Sequence, residues 1–315
     1  MKDLDIQFPL NSFEKMIIDI GWDSLESWLN FWDERKNFLH SETLTKLVFK
    51  DDWIWGLALP IISDAFQLKK NFNDRKILGI SALPGTGKTT LGNFLKSIAT
   101  KIELDISVIS LDDFYLPAID MDRVTHNNPW NVSRGYPGTH SIGLIKDSLL
   151  NWKETGKLKA PVFDKSLRSG LGDRSYWIES NPDILIFEGW FLGVNQYELF
   201  NNEPEINGLT NQEIIFRGRI QREILEYQPI WELIDKLWQL KPKDFKFTNL
   251  WKKEQESEMF LKKGSALLNQ KLVDFQRMIN TSIPVASFDS INSDILAVMN
   301  QQRKLEWIGL NNKKI

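Results

Sequence analysis

KILGISALPGTGKTTLGNFLKSIA, residues 76–99, decides how the rest of the chain is read. KILGISA (76–82) is a short apolar run with β-branched residues, and TTLGNFLKSIA (89–99) repeats its apolar residues at helical spacing. The segment between them, Ala82-Leu83-Pro84-Gly85-Thr86-Gly87-Lys88-Thr89-Thr90, fits the Walker A pattern with Ala82 in the place of the first glycine. Strand, glycine-rich turn and helix in direct succession is the setting in which that pattern has a mechanism. Gly85 and Gly87 let backbone N–H groups turn inward onto phosphate oxygens at a helix N-terminus, whose dipole favours anions. The predicted nucleotide contacts are Gly85, Thr86, Gly87, Lys88, Thr89 and Thr90. Lys88 is expected to reach the β and γ phosphates of ATP, and Thr89 to hold Mg²⁺.

Outward from this loop, DISVISL (105–111) and DILIFEGW (183–190) are apolar runs too short for helices, and they read as buried parallel strands. Each carries carboxylates near its C-terminal end, where open α/β sheets bind ligands. Asp112 is the candidate for the base that takes the proton of an attacking hydroxyl, or for a Mg²⁺ ligand; Asp113 is the weaker candidate, with helix or turn capping as its plain alternative. Glu188, delivered by a buried strand into an apolar context, is expected to serve Mg²⁺ directly or through water.

Residues 1–70 have helical spacing, as in Leu25, Trp28, Leu29 and Trp32, and are expected to form a helical N-terminal extension packed on a kinase-like domain over 71–315. The Pro- and Gly-rich stretch at about 117–182 reads as substrate-binding loops with a helix. Helix is expected from Asn211 to Lys241, and a last strand at TSIPVASF (281–288). The thirteen Trp residues are expected to fill helix interfaces.

Composition narrows the class. The chain has 315 residues, 42% hydrophobic and 26% charged, which is enough for one substantial core. A formal net charge of -3 without a long basic run argues against nucleic acid as a partner. No cysteine is present, which removes disulfides and thiolate chemistry, and His40, His126 and His140 lack metal-ligand spacing. No apolar run approaches the length of a membrane span, so a cytoplasmic protein is expected. The oligomeric state has no signature in the sequence.

Four segments behind the loop, SLDDFYLP (110–117), SRGYPGTH (133–140), PVFDKSLRSGLGDR (161–174) and ILIFEGWFLG (184–193), resemble in this order the plant-type D-glycerate 3-kinase family. That family is similar, more distantly, to uridine kinase, pantothenate kinase and phosphoribulokinase. The resemblance runs over roughly residues 50–280. It implies an α/β fold, a P-loop αβα sandwich with a mainly parallel central sheet, and transfer of the ATP γ-phosphate to glycerate. On that reading Asp112 serves the acceptor hydroxyl, and Arg134 forks onto the acceptor's carboxylate. Lys165 and Arg174 close over the acceptor or the γ-phosphate, and Asp113, Tyr115, His140 and Asp164 complete the acceptor side. Arg217, Arg219 and Arg222 are candidates for a lid over the phosphates. The chain departs from the family pattern at Ser141, where an acidic residue usually follows the histidine, at Arg168 to Leu171, and at Lys252, commonly Arg. A kinase of another small acceptor and a P-loop regulator without a metabolite substrate are the competing readings.

Overall fold

The computed structural model describes residues 8–35, 51–195, 208–263 and 266–311. His40 lies outside them. Helices α1 (Leu10–Asp19) and α2 (Leu25–Asp33) come first, and α3 (Leu59–Asn71) is entered through Asp51–Trp53 and a π-helical turn at Ile54–Ala58. Strand β1 (Ile77–Ala82) leads through the glycine-rich loop into α4 (Lys88–Ala99), and β2 (Ile106–Ser110) follows. After α5 (Ala118–Thr125) and α6 (Ile142–Thr155), β3 (Leu158–Asp164) and β4 (Asp173–Ser180) form an antiparallel hairpin apart from the main sheet. The chain returns through β5 (Ile184–Gly189), α7 (Asn211–Trp231) and β6 (Lys236–Pro242). It continues with α8 (Phe247–Lys263), α9 (Gln270–Thr281), the short α10 (Val285–Asp289), β7 (Ile295–Met299) and β8 (Leu305–Leu310).

The main sheet has six strands in the order β2-β5-β1-β6-β7-β8, parallel except for β8, which runs antiparallel to β7. Its inner strands are buried on both faces, which explains the near-continuous apolar runs. Along β5, Ile184 and Ile186 pack into one layer with α1 to α4, while Leu185 and Phe187 pack into the other with α6 and α7. A parallel sheet between two helical layers is the αβα arrangement the sequence predicted. In the N-terminal layer tryptophans do fill helix interfaces, Trp28 and Trp32 being fully buried with both indole N–H groups donating to Ser63 Oγ, at 2.8 and 2.9 Å, whereas Trp177 stands exposed on β4.

Two expectations fail and a third is incomplete. TSIPVASF is no strand; it contains the end of α9 and the start of α10, and the closing strands lie at 295–299 and 305–310. Helix stops at Trp231, and residues 236–242 form the inner strand β6, a short run whose tertiary burial overrides its helical spacing. The stretch at 117–182 holds a β-hairpin and a second helix besides its loops.

Candidate active site

Parallel register brings the C-terminal ends of β1, β2 and β5 to one edge, with Glu188 opposite Ile80 on one side and Ser110 on the other. The phosphate loop leaves β1 at this edge. Gly85 and Gly87 adopt φ of +81° and +105°, a region open chiefly to glycine, and Gly87 caps α4. A Cβ on Gly85 would lie 2.6 Å from the backbone N of Lys252, so the second turn of α8 sits directly against the loop. Thr86 turns its hydroxyl back onto Leu83 O at 2.5 Å, and its side chain thereby holds the loop's shape. Thr89 and Thr90 stand exposed at the start of α4.

Lys88 Nζ donates to Ala82 O at 2.6 Å. Burial lowers its pKa, opposed by the charges of Glu188 and Asp112, so the ammoniums of Lys88 and Lys165 and two carboxylates share this corner. Glu188 is 7% exposed, its Oε2 makes no hydrogen bond, and burial pushes its pKa up against the pull of Lys88. A buried oxygen of this kind is costly unless a ligand meets it. Among the described residues, no group of three or more His, Cys, Asp and Glu is arranged to hold a metal ion unaided.

Asp112 follows β2. Its Oδ2 accepts from Lys165 Nζ at 2.7 Å and its Oδ1 from the Tyr115 hydroxyl at 2.9 Å. Burial alone would raise this carboxyl, but Lys165 holds it well below the usual carboxylate range. Asp113 points elsewhere, accepting from the backbone N–H groups of Ser110 at 3.2 Å and Phe163 at 3.3 Å. It closes the turn after β2 and ties it to the hairpin, the capping alternative.

Segments 110–117 and 133–140, read from the sequence as acceptor-binding, are joined through their backbones. Leu116 N donates to Thr139 O and Ser141 N to Phe114 O, so that Tyr115 and His140 face each other in an isolated β-bridge. Their rings stack at 4.5 Å. His140 is buried, and burial, opposed by Asp112, lowers its pKa to about 4. Arg134 donates through Nη1 to Leu171 O at 2.6 Å and Gly170 O at 3.1 Å, lies over the Phe163 ring, and has no carboxylate partner among the described residues. Arg174 braces the same wall, from Nε to Tyr115 O at 3.0 Å and from Nη2 to Ser141 Oγ at 2.5 Å. Ser141, the departure from the acidic pattern, is thus a partner of Arg174. Asp164 turns onto Ser166 N and Oγ at 2.8 and 2.6 Å, shaping the hairpin's loop.

Of the lid candidates, Arg217 is buried on α7, and Arg219 lies over Phe216 and pairs with Glu223 on the same helix at 3.7 Å. Sequence reasoning missed a cluster that grips the phosphate loop from outside. Arg303, in the β7–β8 turn, donates to Gly85 O at 3.1 Å and Trp251 O at 3.2 Å, and its own carbonyl accepts from Trp53 Nε1 at 2.5 Å. Only its positive φ of +58° marks it, and no pattern in the sequence announces that.

Among curated relatives, the chain is 30% identical over 214 residues to mug58 of Schizosaccharomyces pombe, an uncharacterized kinase; the match spans 63% of this chain and 76% of mug58. The chain belongs to this family of P-loop kinases. It is also 37% identical over 129 residues to the chloroplastic D-glycerate 3-kinase of Arabidopsis thaliana, a match covering 37% of this chain and 28% of that protein. Among solved structures, a D-glycerate 3-kinase from Cryptococcus neoformans superposes with a TM-score of 0.63 at 22% identity, over 82% of this chain and 98% of the other; that likeness speaks for the fold. No protein-family model matches the chain. The membership makes this kinase an ATP-dependent phosphotransferase, and no helix among its described residues is long and apolar enough to cross a membrane.

Proposed function

We propose that this kinase transfers the γ-phosphoryl group of MgATP to D-glycerate, giving 3-phosphoglycerate. The observation that carries the reading is Arg134, a guanidinium fixed by two backbone carbonyls beside the Asp112–Lys165 pair and without a carboxylate of its own among the described residues. A small hydroxy acid supplies what such a wall lacks, a carboxylate for Arg134 and a hydroxyl for Asp112.

Phosphoryl transfer through a loose transition state asks the protein chiefly for position and charge. Lys88, at the mouth of the loop, stabilises negative charge growing on the phosphoryl oxygens. Asp112, held ionised by Lys165, orients the acceptor hydroxyl and takes its proton late, as the new O–P bond forms and the bond from the γ-phosphorus to the departing ADP oxygen breaks. The oxygens of Glu188 and Asp112 and the Thr89 hydroxyl suit a hard cation that keeps several waters, and the hydrogen-bond-free Glu188 Oε2 favours that assignment. Mg²⁺ held there would neutralise charge between the β and γ phosphates.

The test is product identification by NMR after incubation with MgATP and D-glycerate, beside parallel reactions with pantothenate, uridine and glycerol. 3-Phosphoglycerate is the expected product. Its absence, with another acceptor phosphorylated instead, discards glycerate and keeps the kinase.

A further inference from the structure

Where the proposed acceptor wall meets the apolar layer, His140 and Tyr227 form a small polar relay. Tyr227 lies on α7, is fully buried, and its hydroxyl oxygen sits 3.1 Å from the Gly138 backbone N and 2.8 Å from His140 Nδ1. Gly138 makes the approach possible: its φ is +95°, and a Cβ there would come within 3.0 Å of Glu223 on the same helix.

The direction of the protons follows from counting. The Gly138 amide can only donate, so the Tyr227 oxygen accepts from it and has one proton of its own to give. Burial drives the Tyr227 pKa far above its ordinary value, so that proton stays on. The partner within reach is His140 Nδ1, which must then be the unprotonated nitrogen, and the proton of the neutral ring falls on Nε2. The opposite tautomer would put two donors on the phenol oxygen and strand its own proton in the core. His140 is 3% exposed, yet its Nε2 has no hydrogen-bond partner. The ring stacks on Tyr115, whose hydroxyl binds Asp112, so an unspent N–H donor lies one ring away from the carboxylate assigned to the acceptor hydroxyl.

We infer that Tyr227 is a positioning residue that fixes the tautomer of His140, and that His140 Nε2–H donates a hydrogen bond to an oxygen of the hydroxy-acid acceptor. The inference rests on the acceptor site lying beside Asp112. A neutral donor suits that place: with Lys88, Lys165 and Arg134 nearby, it reads an oxygen without adding a further positive charge. The charges of Asp112 and Lys165 act on the ring in opposite directions, and burial keeps it neutral at neutral pH.

Two readouts test it in the full-length protein. Nitrogen-15 NMR of labelled histidine, without substrate, is expected to show His140 protonated on Nε2 alone in the wild type and as a mixture of tautomers in Tyr227→Phe. In kinetics with MgATP and D-glycerate, His140→Gln keeps an N–H near the Nε2 position and should stay within about tenfold of wild type in kcat/KM for glycerate. His140→Asn reaches only the Nδ1 position and should lose a further factor of about ten or more, the scale of one buried hydrogen bond. KM for ATP should hold in all variants. A wild-type His140 protonated on Nδ1, or equal losses in the Gln and Asn variants, overturns the inference. A wild type that makes no 3-phosphoglycerate overturns the glycerate assignment instead, and the tautomer measurement then decides whether the relay stands.

Discussion

The phosphate loop and the proposed acceptor wall meet where the charges of Lys88 and Asp112 act on each other, and they are built by opposite means. The loop is nine consecutive residues whose function lies in backbone direction, set by two glycines in left-handed conformations and one helix N-terminus. The wall is assembled from three segments, 110–117, 133–140 and 161–174, whose side chains acquire roles only after the Tyr115–His140 bridge and the hairpin bring them together. A contiguous device tolerates little change but is easy to read. A composite one is hidden in the sequence and can change its substrate by altering single side chains.

The largest effect is expected of Asp112→Asn, which removes the charge at the junction of the two regions and keeps the shape. Turnover should fall by about two to four orders of magnitude while nucleotide affinity survives. Lost ATP binding with an unchanged rate at saturating ATP would leave Asp112 to the metal alone. Lys88→Ala strikes the loop side. About a hundredfold loss in kcat is expected for removing one preorganised charge, equal for every acceptor, and a folded variant with near-normal turnover would contradict it.

Arg134→Ala tests the wall alone. The loss in kcat/KM for glycerate should be at least about 2 kcal/mol, roughly thirtyfold, with ATP affinity unchanged. Glycerol, lacking a carboxylate, should be a poor substrate of the wild type and lose little more in the variant. Equal losses for both would show that Arg134 does not read the carboxylate.

The smallest effect concerns the helix that carries Tyr227. Thr210 and Glu213 form a capping box at the start of α7, and Arg277 of α9 donates to both oxygens of Glu213, at 2.7 and 2.8 Å. The Arg277 hydrogen bonds outweigh burial and lower the Glu213 pKa from 4.5 to about 2. A depressed carboxyl stabilises the fold fully above its unfolded value and loses that contribution as pH falls through the folded one. Glu213→Gln should therefore cost about 1–2 kcal/mol at pH 7, discounted for the exposed side of Arg277. In urea titrations the gap between variant and wild type should narrow below about pH 4.5; a gap independent of pH would mean that the pair contributes through shape alone.

The difference between the two regions also explains what could be read in advance. The strands β1, β2 and β5 and the loop were legible because buried parallel strands write long apolar runs and a phosphate cradle needs glycines at fixed places. Strand β6 was lost because its apolar spacing, read without its neighbours, continued the helix before it. On the wall, residue types were legible and partners were not: Asp113 and Arg174 carry the right chemistry for a substrate, yet their hydrogen bonds to Phe163 N and Tyr115 O need segments 50 and 59 residues away. Tyr227 left no trace at all, since a tyrosine on an apolar helix face looks like core.

The guanidinium of Arg303 reaches the carbonyl of Gly85 across 218 positions of chain. A ribosome adding about 5–20 residues per second needs roughly 10–40 s to cover that distance. Throughout that interval a nascent chain holds a glycine-rich loop with the right sequence and without its outer clamp, which arrives only when the β7–β8 hairpin folds back.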